Sequence, residues 1–318
     1  MTTLPTLKAD LHVHSFFSGY TGHLPFFRTR DCYSTPEEIY RAAKARGMDL
    51  VAITDHDSID GCLEFLDAHP DATDFIVGEE IECMFPDTNL AVHVGAYGID
   101  ERIHREIQPL RRNVFEVAAY LRKEGVPFSL NHLFHFFRGQ VELRDYVERL
   151  VDTFMVVEAR NGTMLREHNH FIRKILREYR RQGSRFAEVG GSDSHALGRI
   201  ATTYTEAPGR NRAEFLESIR KGNARAVGLH GNVPRLAGEI YSVIFNYFGS
   251  LLNLRPHELT WSQQAGAIGF SLLSLPFQWV PLAVALGQKW GEAARIARWQ
   301  RSWENATEEM GLPLQDPA

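Results

Sequence analysis

Apolar residues along the chain fall into short runs separated by longer stretches with helical spacing. The runs occupy residues 8–15, 50–54, 75–81, 90–97, 127–130, 154–158 and 186–190. They are apolar without strict alternation, which suits strands covered on both faces. Between them, residues 36–48 (PEEIYRAAKARGM) open with a proline and two acids and close near Gly47, the polarity that helix ends favour. Residues 102–124 and 165–182 form longer amphipathic stretches. Seven strands alternating with helices predict a parallel sheet, wrapped into a barrel or doubly wound.

The pattern changes near Gly231, which divides the chain into a barrel over 1–230 and a helical extension over 231–318. Residues 240–254 and 259–288 carry no charged side chain, and a basic, tryptophan-bearing helix follows at 289–303. The second uncharged stretch exceeds the roughly 20 residues that cross a bilayer. Pro276, Pro281, Gln263, Gln264 and Gln278 weigh against a span. Two arrangements accommodate it. One is a re-entrant or interfacial hairpin that brings residues 240–303 to a membrane surface, with Lys289, Arg295, Arg298 and Arg301 beside acidic lipid heads. The other is a helical cap buried on the barrel or in a dimer. The oligomeric state stays open.

Composition narrows the class. The 318 residues are 44% hydrophobic and 24% charged, values of an ordinary globular chain. A formal net charge of −5 speaks against a nucleic-acid partner. Three cysteines without a CxxC pair (Cys32, Cys62, Cys83) exclude a disulfide framework. The first residues lack a basic stretch followed by an apolar one, so a cytoplasmic address is expected, with attachment to the inner membrane left to the extension. The fourteen histidines are the unusual feature, and they are unevenly placed.

Many of them sit where the predicted strands end. Strand one ends in His12-Val-His14, two in Asp55-His56-Asp57, three in Glu79-Glu80. Strand four holds His93, five runs into Asn131-His132, six ends in Glu158-Ala-Arg160-Asn161 and seven in Asp193-Ser-His195. In α/β barrels these ends converge on one mouth. An HxH pair on a strand turns both imidazoles to one side, as one metal ion requires. Asp57 is expected to cap a helix starting near Ser58, and His69, His104, His168, His170, His230 and His257 are left to loops and helix faces.

LHVHS, AITDHD, GEEIE, the strand-five NH and GSDSH, in that order, resemble the PHP family (polymerase and histidinol phosphatase domains) from about Lys8 to Leu229. The resemblance implies a distorted (β/α)7 TIM-like barrel, here followed by the hydrophobic helical extension. It also implies two or three divalent ions, manganese, zinc or iron. The first would take His12, His14, Glu80 and Asp193. Glu80 would bridge to a second, completed by His93 and His132. A third would use His56 and His195 with one ligand from the loop after strand one. There the chain departs from the common pattern, because residues 19–30 are inserted before Asp31-Cys-Tyr-Ser-Thr-Pro-Glu-Glu. Asp31 is the expected ligand and His23 its competitor.

Such a set suits a phosphoesterase that cleaves a small nucleotide-type or sugar-type phosphate ester by attack of a metal-bridged hydroxide. His56, His195 and Asp193 are its expected catalytic groups, and Asp55 and Asp57 stand behind them. Arg160, Arg199 and Asn161 are the expected phosphate-binding residues, with Arg28 or Arg30 of the insertion as weaker candidates. A metal-dependent amidohydrolase or deacylase, and a polynucleotide exonuclease or proofreading-type PHP module, are the alternatives on the same residues.

Overall fold

In the computed structural model, residues 4–20, 29–257 and 259–309 are described. All seven expected strands form: β1 (Thr6–Asp10), β2 (Leu50–Ile53), β3 (Phe75–Met84), β4 (Ala91–Tyr97), β5 (Phe128–Leu130), β6 (Val156–Asn161) and β7 (Ala187–Gly191). Two further strands, β8 (Thr203–Pro208) and β9 (Arg225–Gly228), continue the sheet beyond β1 in the order β7-β6-β5-β4-β3-β2-β1-β8-β9. β8 alternates buried and half-buried residues and offers no apolar run, which is why the hydrophobic pattern passes over it. The sheet curls until its two sides meet. Val13 and Ser194 form a parallel bridge, and the Asp193 N–H donates to the His12 carbonyl at 2.8 Å. The result is a nearly closed barrel.

The sheet is mixed, not parallel throughout. β4 runs antiparallel to both β3 and β5, and β8 antiparallel to β1. Only residues 85–90 join β3 to β4, and a parallel crossover needs a dozen or more. The reversal matters for the site: it brings the first residues of β4 to the mouth, where His93 lies in register with Glu82.

Helices cover the outer face. α1 (Pro36–Ala45) starts in a reciprocal cap, Thr35 accepting from the Glu38 N–H while the Glu38 carboxylate accepts from the Thr35 N–H. α2 spans Asp60–Ala68. The single helix expected over 102–124 is two, α3 (Glu101–Ile107) and α4 (Val114–Lys123). Pro109 lacks the N–H that would continue the first, and Asn113 caps the second by accepting from the Phe115 N–H at 3.0 Å. α5 (Leu143–Thr153), α6 (Arg166–Arg181) and α7 (Arg212–Arg220) complete the outer layer.

Three helices follow β9: α8 (Val233–Leu251), α9 (Trp261–Ser274) and α10 (Val280–Glu309). α10 buries Ala285, Lys289, Glu292, Ile296, Trp299 and Trp303. Their alternating spacing of four and three draws one stripe down the helix. Ile296, Trp299 and Trp303 join the principal core with Phe134, Phe137, Tyr146 and Phe171, so the end of the extension is part of the barrel's own packing. Among the described residues no helix is long and apolar enough to cross a membrane.

The two charges in that stripe are satisfied. Lys289 Nζ donates to Glu292 Oε2 (2.7 Å) and to the Thr163 carbonyl (2.6 Å). Glu292 Oε1 accepts from the Leu165 N–H at 2.8 Å and lies 3.3 Å from His168 Nδ1. Burial raises the pKa of Glu292, but His168 and Lys289 outweigh it and hold the carboxyl down to about 2. A depressed carboxyl contributes stability that is complete above its unfolded pKa, near 4.5, and is lost as pH falls towards 2. Glu292→Gln is therefore expected to unfold at lower urea concentration than the parent at pH 7. The gap should narrow steadily between pH 4.5 and 2, and a gap independent of pH would refute the assignment.

Candidate metal centre

At the mouth, the side chains marked by the sequence converge. His12, His14 and Asp193 bring donor atoms within 4.8 Å of one another, and so do His12, Glu80 and His132; His56, Glu80 and His93; and His14, Asp31, His56 and His195. His12, His14, His56 and Glu80 each belong to two of these four sets, which therefore close into a ring. Three ligand positions sit on strained backbone or beside it. His132 has φ 24°, Asp193 φ 52°, and Asp57, next to His56, φ 51°. Such left-handed conformations in non-glycine residues persist only where the surroundings impose them. Gly191 answers a different need: a Cβ there would lie 2.2 Å from that of His12, so only glycine lets β7 approach β1.

A second layer fixes the imidazoles. His12 Nδ1 lies 2.9 Å from Glu158 Oε1, and a carboxylate there accepts, so Nδ1 carries the proton and Nε2 a lone pair. The other Glu158 oxygen accepts from the His132 N–H (3.0 Å) and from Asn161 Nδ2 (3.0 Å). His14 Nδ1 lies 2.9 Å from Ser18 Oγ. That hydroxyl donates to Asp55 Oδ1 at 2.8 Å, which leaves its lone pair to accept from His14. Asp55, buried, also takes the N–H and hydroxyl of Ser15 at 2.5 and 2.6 Å. Asp10 plays the matching role under β7, accepting from the Ser192 and Ala201 N–H groups at 2.8 and 2.7 Å. Burial pushes its carboxyl up to about 6.

The expected ligands thus come together, and Asp31 stands in the fourth set, 2.7 Å from His195 Nε2 and 3.6 Å from His56 Nε2. His23 and Arg28 lie outside the described residues. Arg30 turns inward, donating to the Phe16 carbonyl at 2.7 Å. Asp57 does not cap a helix. It accepts from the Glu82 N–H at 2.9 Å and pairs with Arg111, and α2 begins only at Asp60, without a side-chain cap. Asn161 is buried and spends its Nδ2 on Glu158 and on Asp193 (3.0 Å each), while its Oδ1 accepts from the Thr163 N–H at 2.8 Å, so it braces Asp193. Arg160 turns away, donating to the Gly228 carbonyl. Its charge is instead felt by His170 and His230. Arg199 stays near the mouth, beside Glu239, whose carboxylate accepts from the His195 N–H at 2.7 Å.

The sequence reading passed over several groups. Glu158 lies within β6, three residues before its end, in the segment whose Arg160 and Asn161 drew the phosphate-binding expectation. Glu82 lies one strand residue pair beyond Glu80, 3.6 Å from His93 Nε2. Glu239 belongs to α8 and no local pattern marks it. His135 stands at the mouth with its ring 5.1 Å from that of His132.

The donor set fits divalent cations. His12 Nε2, a lone-pair atom by the argument above, faces Glu80 Oε1 at 3.0 Å and Asp193 Oδ1 at 3.5 Å. Acceptors turned on one another call for a cation between them. His12 Nε2, His14 Nε2, Glu80 Oε2 and both nitrogens of His93 are buried without a hydrogen-bond partner. The electrostatics agree. Burial works against charge on Glu80, yet the surrounding His12, His93 and His132 hold it ionised well below the usual carboxylate range. Burial likewise opposes charge on His12, and Glu80, Asp193 and Glu158 overcome it, so His12 Nε2 takes a proton or, in its place, a metal ion. Imidazole with carboxylate suits manganese, iron or zinc. Replacing Glu158 with glutamine is expected to weaken metal binding by about 10–100-fold, since outer partners of ligating histidines typically contribute that much. Metal titration of the purified variant measures it, and unchanged affinity would remove Glu158 from this role.

Comparison with known proteins finds partial matches. Residues 167–224, from α6 through β7 and Asp193 to α7, match the PHP-associated family model. An uncharacterized protein of Methanocaldococcus jannaschii is 36% identical over 76 residues, 24% of this chain and 44% of that one, so the match spans less than half of the relative. Among solved structures, the chain is similar to PsfC from Pseudomonas syringae, at 15% identity and a TM-score of 0.50 over 78% of this chain and 100% of that one. It is also similar to a two-domain protein containing a predicted PHP-like metal-dependent phosphoesterase from Bacteroides vulgatus, at 19% identity and a TM-score of 0.49 over 76% and 72%. The PHP-associated match bears out the resemblance carried by the motifs.

Proposed function

We propose that this PHP-type chain is a metal-dependent hydrolase, and specifically a phosphoesterase acting on a small nucleotide-type or sugar-type phosphate ester. The observation that carries the reading is the closed ring of four ligand sets, each sharing a member with the next. Two or three divalent ions held there would neutralise phosphate oxygens and make a water acidic enough to attack. The protein supplies the rest. Glu158, Ser18 and Asp55 orient His12 and His14, and Asn161 and Thr163 hold Asp193 through its Oδ2 at 3.0 and 2.8 Å. His195 keeps a proton at Nε2 against Asp31 Oδ2, and when that nitrogen is not a ligand this is the proton best placed for the leaving-group oxygen. Of the two arginines expected to bind phosphate, Arg199 is the one assigned to it here, because Arg160 donates to the Gly228 carbonyl.

The test begins with elemental analysis of protein expressed with manganese, iron and zinc available, followed by a screen of phosphate esters. Two or three equivalents of metal and turnover of a monoester are expected. Arg199→Ala should retain the metal and lose turnover by about 10-fold or more, as loss of a charge-assisted phosphate contact implies. Undiminished turnover in that variant would favour a carbonyl substrate and the amidohydrolase alternative. A metal-free protein with full activity would end the reading.

A further inference from the structure

The extension carries a second feature that the metal centre does not explain. The stripe that α10 buries runs without interruption from Ala285 to Trp303, but the opposite face of the helix changes character along its length. From Lys289 onward its exposed positions include Arg298 and Arg301, as water requires. Before Lys289 they are uncharged and mostly apolar, Leu282, Val284 and Leu286 among them, with Gln288 the polar one. Trp290 marks the change and is 73% exposed. α9 repeats the pattern. It buries Ala267 and Ser271 while Leu272 and Leu273 stand 64% and 76% exposed among uncovered glycines and alanines. The turn between the helices presents Phe277 and Trp279, 57% and 63% exposed.

We propose that the α9–α10 hairpin seats in one leaflet of a lipid bilayer, with the water boundary at Lys289–Trp290. Three observations favour lipid over a second copy of the chain. First, the apolar residues of α9 and of the start of α10 are distributed around the hairpin, whereas a protein partner would cover one face. Second, residues 259–288 carry no charge, as a segment in contact with hydrocarbon requires. Third, the helix from Val280 to Trp290 rises roughly 15 Å, about half the hydrocarbon thickness, and ends in an exposed tryptophan of the kind enriched at the membrane–water boundary. The hairpin does not span, in keeping with the absence of a crossing helix among the described residues.

Tyr241 of α8 donates to the Gln278 carbonyl at the tip, 2.6 Å, and two residues earlier on the same helix Glu239 accepts from His195. Phe245, one turn further along α8, is 77% exposed and extends the apolar patch.

Flotation of the full-length chain with phosphatidylcholine vesicles, with and without phosphatidylglycerol, tests the proposal. The parent is expected to float with both. The double substitution Phe277→Ser and Trp279→Ser should reduce the floating fraction at least about tenfold, given the apolar area it removes from lipid. Met155→Ser, at a residue 54% exposed on the barrel, should leave it unchanged. Equal far-ultraviolet circular dichroism and metal content in all three proteins would establish that folding is intact. A parent that stays in the lipid-free fraction overturns the proposal. So does a discrete dimer in detergent-free buffer that the double substitution converts to monomer, which would assign the hairpin to a second copy. The outcome is independent of the hydrolase reading, since neither variant residue touches the centre.

Discussion

Glu80→Gln is expected to empty the centre of most of its metal and to abolish hydrolysis. Glu80 belongs to two of the four ligand sets, and its carboxylate lies 3.0 Å from His12 Nε2, 3.0 Å from His132 Nε2 and 3.2 Å from His56 Nδ1. Glutamine preserves the shape and can still accept from Asn131 Nδ2, which donates to Glu80 Oε1 at 2.9 Å, so the barrel should fold. It removes the negative charge around which His12, His93 and His132 are arranged. It also turns two N–H groups towards lone pairs that converge for a cation. The loss of affinity should exceed the roughly 10–100-fold that an outer partner such as Glu158 contributes. Metal content by elemental analysis and turnover of the best phosphate ester are the readouts. Normal metal content in the variant would exclude Glu80 as a ligand.

The second large effect is one of stability. Trp299→Ala should lower the free energy of unfolding by about 3–5 kcal/mol, the usual cost of deleting a large core aromatic. Trp299 is 7% exposed, its ring lying 5.1 Å from that of Phe137 and 5.6 Å from that of Phe134, in the core that also holds α5 and α6. A domain typically has about 5–15 kcal/mol in all, so the shift is a large part of the total. Trp290→Ala, on the same helix but 73% exposed, should stay within about 0.5 kcal/mol in lipid-free buffer. Urea denaturation of the two variants compares them directly. Equal effects would mean that α10 is not part of the barrel's core, and that the chain folds without its last helix.

The candidate ligand set was legible in the sequence because strand ends are local. Once a short apolar run is recognised, the His, Asp or Glu that follows it is assigned to the barrel mouth by the rule that strand ends converge. His12, His14, His56, Glu80, His132, Asp193 and His195 were found in this way, and Asp31 by the motif that follows the insertion. The seven strands and the helical character of the extension were likewise carried by hydrophobic period alone.

What the sequence left undecided depends on partners far apart along the chain. The direction of β4 follows from the brevity of its connection to β3, and that reversal, not the end of a strand, delivers His93. Arg160 and Asn161 look like phosphate ligands in a string of letters. The fold gives the first to the Gly228 carbonyl and the second to Glu158 and Asp193. Glu239 reaches His195 across 44 residues, and Glu292 reaches Leu165 across 127. No periodicity records such pairs, because a hydrogen bond between distant segments constrains only where the chain returns. The sequence by itself determined which chemistry gathers at the mouth, since donor atoms follow from residue type and strand position. Tertiary structure alone decided which donors are braced, which cations remain free and which apolar faces stay uncovered, because each is settled by what packs against it.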